Sequence, residues 1–323
     1  VGAAGGGGGV SGTFVYMAIR RGGMQTPTVA SDVFAIDTAA GTSPSPPHFN
    51  SGFPVDFEFY RDVSSAADFY AGSRLIGTKF LRTNTNDAEQ ADSSLLFDYQ
   101  NGFYNASYTG ANIHAWMWKR ARGYFDVVAY SGTGSTTTIS HNLGVAPEMM
   151  WIKKRSGSNN WKTFHSSLGA TKSMELNTNV GAETNGSALF NSTAPTASVF
   201  TVGAAGDVNS SSHTYIAYLF ATVAGVSKVG SYTANGSAQN IDCGFSGGNG
   251  ARFVLIKRTD NNGHWFLFDT TRGLVSGNDP NLQLNENNAQ ETTYDHIDPL
   301  EAGFTVAVYG DDSPYVNING ATY

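Results

Sequence analysis

Three carboxylates late in the sequence are close enough together to suggest acid–base catalysis. Asp295, Asp298 and Glu301 flank Pro299, and a glycoside hydrolase needs one carboxyl group as acid and a second as base or nucleophile. The neighbouring residues do not form the apolar pattern of a cleft, and acidic loop residues are usually just solvated. We therefore expect no enzyme, and glycan hydrolysis stays as an alternative.

Aromatic residues that depart from an internal repeat, described below, are candidates for glycan binding. A flat ring can stack on the apolar face of a sugar while neighbouring amides reach its hydroxyl groups. Trp151, whose counterpart in the repeat is Leu255, meets this description, as do Tyr309 and Tyr315 in a Gly-Asp-Asp-Ser-Pro loop. Aromatics that recur in the repeat are predicted to pack in the core instead; these are Trp161 with Trp265 and Phe164 with Phe268.

Metal and thiol chemistry find little support. Ca²⁺ takes six to eight oxygen ligands, and the oxygen-rich candidates are Asp260 to Gly263, Asn278-Asp279 and Asp311-Asp312. Turn geometry alone explains these residues, so we expect no cofactor and no metal, with calcium as the alternative. His141 has Cys243 as its repeat counterpart, which argues against a catalytic histidine, and the single cysteine excludes an intrachain disulfide.

An internal repeat of about 100 residues supplies the elements that must position these side chains. The strand-like run Met149 to Lys153 corresponds to Phe253 to Lys257, and Ile152 precedes Trp161 by the same interval that separates Ile256 from Trp265. Further matches follow in the same order: Phe200-Thr201-Val202 with Phe304-Thr305-Val306, and Thr214-Tyr215 with Thr322-Tyr323.

A more divergent copy lies upstream. Phe57 to Tyr60 takes the place of the first strand, Phe69 that of the tryptophan, and Ile113 to Trp118 that of Tyr215 to Phe220. Leu81 to Asn84 is aligned with Leu176 to Asn179. The sequence therefore predicts four segments: a Gly-rich leader plus the closing strand of a preceding unit (1–24), a divergent β unit (25–122), and two β-sandwich units (123–224 and 225–323).

The sequence predicts an extra closing strand before the first unit and a missing closing strand at the end of the third. Residues 13–19, Thr-Phe-Val-Tyr-Met-Ala-Ile, read as the closing strand of a unit, whereas the third unit is expected to lack its own last strand. Two explanations stay open. The ends are truncated, or residues 13–19 of a neighbour or of the same chain complete a sheet by edge pairing.

Composition predicts an all-β fold. The chain has 38 glycines, 26 asparagines and only eight lysines among 323 residues, and 12% aromatic residues exclude a disordered chain. Runs rich in Val, Ile, Thr, Phe and Tyr alternate with Gly, Asn, Asp and Ser, as in short strands joined by turns. We expect three tandem β-sandwich or jelly-roll-like units of about 100 residues each.

Charge and hydropathy exclude two classes of partner. The net charge is −7 and the basic residues are scattered, whereas a nucleic-acid-binding protein needs a basic stripe. No apolar run is long enough to span a membrane. We therefore expect no nucleic acid and no membrane insertion.

Several segments resemble the repeated domains of tail-fibre-like virion proteins from tailed bacteriophages of marine and cyanobacterial type. They include Gly123 to Ser135, Ile139 to Met149, Thr214 to Phe220, Gly225 to Tyr232 and Arg252 to Arg258. The match covers residues 123–323 well and 10–122 more loosely. The resemblance implies a virion structural protein, part of a fibre or similar appendage, and it brings no defined biochemical activity.

The functional prediction is a spacer, a multivalent adhesion module for host-surface glycan, or both. Weak contacts from several copies would add through effective concentration. Family analogy implies a homo-oligomer, a trimer. We expect the chain to contact other virion proteins and bacterial surface glycan, in an extracellular particle that is assembled in the host cytoplasm. The alternatives are a capsid decoration or mechanical connector without host binding, and a tailspike-like glycan hydrolase.

Overall fold

The computed structural model describes residues 23–39, 45–248, 250–308 and 315–323; the leader up to residue 22 lies outside these ranges. Within them the all-β prediction is confirmed. The helical residues in these ranges are one 3₁₀ turn, Ala30–Asp32, and one short helix, α1, Gly206–Asn209. Among the described residues, no helix has the length and hydropathy needed to cross a bilayer.

The described strands fall into three sequence units, and each strand pairs only with strands of its own unit. The first unit (25–122) contains β1 Phe34–Thr38, β2 Phe49–Asn50, β3 Phe57–Asp62, β4 Tyr70–Ser73, β5 Lys79–Arg82, β6 Gln90–Ala91, β7 Leu95–Leu96, β8 Gly102–Asn105 and β9 Ile113–Trp118. The second unit (123–224) contains β10 Phe125–Ser131, β11 Thr137–Ser140, β12 Met149–Lys154, β13 Lys162–His165, β14 Lys172–Glu175, β15 Glu183–Thr184, β16 Val199–Val202 and β17 Thr214–Phe220. The third unit (225–323) contains β18 Gln239–Asp242, β19 Phe253–Lys257, β20 Trp265–Asp269, β21 Leu282–Gln283, β22 Ile297–Leu300 and β23 Gly303–Val306.

Each unit is a sandwich of two antiparallel sheets. We call the sheet that contains β3, β12 or β19 the larger sheet of its unit and the other the smaller; the larger sheet has six strands in the first two units, whereas both sheets of the third unit have three described strands. The larger sheets have the strand orders β1-β9-β3-β4-β5-β6 and β10-β17-β12-β13-β14-β15 in the first two units, and β19-β20-β21 in the third. The smaller sheets are β2-β8-β7, β11-β16 and β18-β23-β22. A separate hydrophobic core fills the space between the two sheets of each unit.

The outer faces of the three larger sheets meet in one shared aromatic core. In β3, Phe57 and Phe59 face this shared core, whereas Tyr60 faces the core of its own unit. Rings from different units touch there: Phe57 lies 4.3 Å from Tyr218, centroid to centroid. Because both faces of each larger sheet are buried, the strands β9, β17 and β20 within these sheets are apolar at most consecutive positions rather than alternating.

The same backbone hydrogen bonds join the units at all three junctions. One aromatic position recurs in all three units, as Phe69, Trp161 and Trp265. At each junction the backbone N–H two residues before this position donates to a carbonyl group in a loop of the neighbouring unit, at 2.8 Å. The bonds run from Asn159 N to Asn86 O, from Gly263 N to Asn179 O, and from Ala67 N to Asn287 O. A second set runs in the opposite direction, from Glu89 N to Arg155 O, from Ala182 N to Thr259 O, and from Gln290 N to Val63 O.

These contacts close a ring. The second unit docks on the first, the third on the second, and the first on the third, each with the same pair of bonds. Three consecutive repeats of one chain are therefore arranged with pseudo-three-fold symmetry around the shared core.

A buried cation lies at each junction. Lys153, Lys257 and Arg61 occupy equivalent positions, eight residues before Trp161, Trp265 and Phe69. Each donates to the carbonyl that the backbone bond also uses, at 3.2 to 3.3 Å. Burial lowers the pKa of both lysines to about 8 and that of Arg61 to about 10.

The structure corrects one alignment within the repeat. Asn84, Asn177 and Asn285 each accept a hydrogen bond from the backbone N–H of the conserved aromatic position. Asn84 is therefore equivalent to Asn177, and the alignment of Leu81–Asn84 with 176–179 was wrong by two residues. The error arose because Asn177 and Asn179 are both asparagines, and only the hydrogen bond distinguishes them. The core positions predicted for Trp161, Trp265, Phe164 and Phe268 are confirmed, since all four are buried.

Glu58 is an acidic side chain inside the core of the first unit. It is fully buried, and neither carboxylate oxygen has a hydrogen-bond partner of normal geometry. Burial and, to a lesser degree, repulsion by Asp92 raise its pKa well above the ordinary value. The residue opposite is Gly72, where a Cβ would collide with Glu58 Oε1. The first unit therefore accommodates the Glu58 carboxyl group in the space left by a glycine, and burial favours its protonated form.

The buried lysines predict an alkaline rise in stability. An unfolded lysine keeps its proton to about pH 10.4, so between about pH 8 and 10 the folded protein binds fewer protons than the unfolded chain. The free energy of unfolding should rise with pH in this window by at most about 1.4 kcal/mol per pH unit for each lysine. Urea unfolding at several pH values would measure the slope. The double variant Lys153→Met/Lys257→Met should lose it, the exposed control Lys172→Met should keep it, and an unchanged slope in the double variant would contradict this assignment.

Removing the buried acid should stabilise the protein. Glu58→Met should raise the free energy of unfolding by about 1–4 kcal/mol at pH 7, because burial disfavours the ionised form of the folded glutamate, whereas the unfolded glutamate ionises freely in water. The gain should shrink as the pH falls toward the ordinary glutamate pKa. Thermal unfolding at pH 5 and pH 7 tests this expectation, with exposed Glu183→Met as the control. A Glu58→Met protein less stable than wild type at pH 7 would disprove it.

Candidate functional site

Trp151 is not available to a ligand at the surface. Its side chain is 1% exposed and lies in the shared core, 4.9 Å from Phe220. Its equivalents, Phe59 and Leu255, face the same core. Trp151 therefore departs from the repeat in side-chain size at a core position, and this placement does not support glycan binding at the surface.

Tyr315 is the sequence-predicted aromatic that the structure places at the surface. Its side chain is 44% exposed. One ring face stacks on the buried ring of Phe266, with centroids 5.4 Å apart and planes inclined by 27°. Tyr309 lies outside the described residues. The contact with Phe266 fixes the plane of the Tyr315 ring while leaving part of it in solvent.

Two further aromatic side chains surround Tyr315. His296 lies 6.1 Å from Tyr315, and Tyr294 lies 6.0 Å from His296. We call Phe266, Tyr294, His296 and Tyr315 the Tyr315 patch. Strand β20 supplies Phe266 and the segment entering β22 supplies Tyr294 and His296, so two elements of the third unit hold the patch in place.

The patch is aromatic and uncharged except at one rim. Burial lowers the pKa of His296 to about 4, against a smaller opposite effect of Glu291, so the imidazole is neutral near pH 7. Burial, followed by repulsion from Asp298, raises the pKa of Asp295 from its ordinary value. A partly exposed ring beside carboxylate oxygens could stack on a sugar and accept hydrogen bonds from its hydroxyl groups.

The three carboxylates of the sequence analysis are placed differently with respect to this patch. Asp295 lies between Tyr294 and His296 in the sequence, whereas Glu301 lies in the turn from β22 to β23. Asp298 accepts a long hydrogen bond from Gly277 N, at 3.4 Å. Asp295 and Glu301 are exposed. Nearby, Asp279 is buried and accepts the N–H groups of Val275 and Ile297. Burial raises its pKa to about 6, and its contacts are those of a residue that holds two loops together.

The oxygen-rich turns are used internally where the structure describes them. Asp260 pairs with Arg258 at 2.9 Å, and Asn278 donates to Thr293 O at 2.6 Å. Asp311 and Asp312 lie outside the described residues. Within the described ranges, no group of three or more His, Cys, Asp or Glu side chains could hold a metal ion.

His141 and Cys243 have structural surroundings. His141 is buried, its Nε2 lies 3.2 Å from Thr196 O, and its Nδ1 accepts the N–H of Leu143. Cys243 is half-buried, and burial raises the pKa of its thiol to about 11. Neither side chain is arranged as a nucleophile beside a base.

Sequence reasoning missed Tyr294 and His296. In the second unit Phe164 packs edge-on against Phe190 at 5.5 Å, whereas its counterpart Phe268 packs against His296 at 5.6 Å. The available signal was the replacement of the apolar pair Leu189-Phe190 by polar aromatics in the corresponding segment of the third unit. The sequences around Leu189-Phe190 and around Tyr294 align poorly. The replacement is therefore recognised only in the structure, where Phe164 and its counterpart Phe268 contact the two segments.

One family model matches the chain, a domain of unknown function (DUF7483), over residues 29–323. No curated protein and no solved structure matches. The family match spans all three units of the ring and includes the Tyr315 patch. The chain therefore belongs to the DUF7483 family.

Proposed function

We propose that the protein is a virion structural protein, a module of a tail-fibre-like phage appendage that acts as a spacer and as a host-glycan adhesion module. The observation that carries the adhesion part is the Tyr315 patch, a positioned and partly exposed aromatic surface with Asp295 next in sequence to two of its residues. The phage assignment rests on the sequence resemblance alone.

The ring fold supports a mechanical role. Each larger sheet packs on both faces, and three sets of equivalent hydrogen bonds lock the units to one another. A unit cannot rotate against its neighbours without exposing aromatic surface of the shared core to water. Such a body transmits force between its ends without internal hinges, as a spacer must.

The contacts of the buried charged side chains support a non-enzymatic function. Most buried charged side chains that the structure describes contact backbone groups or partners that hold loops and units in place. Arg272, for example, is buried between Asp269, at 2.6 Å, and the ring of Trp116. The acidic rim of the Tyr315 patch offers hydrogen-bond acceptors, which suit binding of sugar hydroxyls without turnover.

Adhesion by one small patch is weak, so the proposal includes multivalency. A single partly exposed ring with a few hydrogen bonds supports only modest affinity. Several copies on one particle would bind a repetitive glycan through effective concentration. Trimerisation of this chain and its attachment to other virion proteins are part of the proposal.

Glycan binding is predicted to depend on Tyr315. On an array of bacterial O-antigen and capsule fragments, Tyr315→Ala should weaken binding at least about tenfold, or about 1.4 kcal/mol, because it removes the stacking surface. The matched control is Tyr104→Ala, a half-buried tyrosine of the first unit that lies 6.4 Å from Tyr99 and outside the patch.

The same experiment separates the alternatives. Release of new reducing ends from a bound glycan, abolished by Asp295→Asn or Asp298→Asn, would replace adhesion by hydrolysis. Failure to bind any glycan, or equal binding by both tyrosine variants, would refute adhesion and leave a connector or capsid decoration.

Gold-labelled antibody on phage particles would locate the protein on the tail or the capsid, and absence of label from particles would refute the virion assignment.

A further inference from the structure

The third unit contains a groove where the second unit has its central strand. In the second unit β17 lies between β10 and β12 and pairs with both. Among the described residues β19, the equivalent of β12, pairs only with β20. Residues 226–232 and β19 form opposite walls of a groove of about 840 Å³.

The entrance of the groove has the geometry of the start of β17. Tyr323 exchanges two backbone hydrogen bonds of 3.0 Å with Tyr232, and the two rings stack at 5.0 Å. Tyr215, the second residue of β17, pairs with Tyr130 in the same way, with the rings 5.3 Å apart. The next five strand positions along β19 correspond to Ile216–Phe220 of the second unit, and no described residue pairs with β19 there.

The groove has apolar surfaces on two sides. Trp118, Trp151 and Phe253 line the side toward the shared core, and Ile241 and Phe304 line the side toward the core of the third unit. A strand in this position would bury the side chains of both its faces. Its sequence must therefore be apolar at consecutive positions, as β9 and β17 are.

Pseudo-three-fold symmetry identifies which segment belongs there. Strand β9 closes the first unit and leads into β10 of the second, and β17 closes the second unit and leads into the third. The third unit docks on the first in the same way as each earlier unit docks on its neighbour. By the same pattern, the closing strand of the third unit should be the strand that leads into β1 of the first unit. That strand is the segment before residue 23, and residues 13–19 have the sequence of a closing strand.

The connection fits in length and direction. Antiparallel insertion along β19 places Ile19 at the Phe253 end of the groove, as Phe220 lies beside Met149 in the second unit. Thr28 and Val29 line the groove, and Phe34 lies 5.4 Å from Phe253 at that same end. Nine residue steps from Ile19 to Thr28 can span up to about 30 Å, so the segment reaches the groove of its own chain.

We infer that residues 15–19 of the same chain insert as a β-strand between residues 227–231 and β19 and close the ring of three units. Val15, Met17 and Ile19 take the positions of Ile216, Tyr218 and Phe220 toward the shared core. Tyr16 and Ala18 take the positions of Ala217 and Leu219 toward the core of the third unit. Intramolecular insertion is favoured over capture of a second copy because the tether gives a high effective concentration.

Disulfide cross-linking of the full chain tests the inserted register. In a Cys243→Ala background, Ala18→Cys and Val254→Cys would lie directly opposite, as Leu219 and Met150 do in the second unit, within the Cα separation that a disulfide requires. The mismatched control pairs Ala18→Cys with Leu255→Cys, whose side chains point to opposite faces of the sheet. We expect an intrachain cross-link in the matched pair at least about tenfold faster than in the control.

A stability measurement accompanies the cross-link. Met17→Asp should lower the melting temperature by at least about 5 °C, since it places a charge in the shared core. Met24→Asp, on the half-buried stretch before the first unit, is the matched control and should change it less. Cross-linking between two chains would overturn the inference in favour of a second copy. Equal cross-linking in both cysteine pairs, or no cross-link together with an unchanged melting temperature for Met17→Asp, would overturn it outright.

Discussion

Burial of both faces of the larger sheets is the constraint on which the rest of the structure depends. A sandwich unit normally buries one face of each sheet and exposes the other to water. Here the outer faces carry tryptophan, phenylalanine and tyrosine, and no single unit can cover them. Three units around a common core satisfy this requirement, because each supplies the covering surface that the others need.

Because the shared core excludes water, breaking a polar contact at its edge costs more free energy than breaking one at an open surface. Loop carbonyls and N–H groups brought together at each junction lose contact with water, so each must find a partner. The paired backbone bonds and the buried cations fulfil this role at all three junctions. Partial desolvation of the lysines, visible in their lowered pKa values, is a cost of placing them there.

The sequence predicted the all-β class and the order of the repeats because periodicity and landmark spacing are local properties of the chain. The equivalence of Phe69 with Trp161 and Trp265 was found this way. The ring was not predicted, since nothing in the spacing of Asn86, Asn179 and Asn287 shows that their carbonyls meet a neighbouring unit. The sequence could not place Trp151 for a related reason. An aromatic residue that departs from the repeat can be a larger core residue or a surface residue, and only packing distinguishes the two.

The reliance of the junctions on main-chain atoms affects how such a protein can diversify. Backbone N–H and C=O groups are the same whatever side chain they carry, so most substitutions in the contacting loops leave the docking bonds intact. Each repeat is then free to accumulate its own surface sequence, as the third has done with Tyr294, His296 and Tyr315. Descendants of one duplicated ancestor can in this way acquire different recognition surfaces on an unchanged frame.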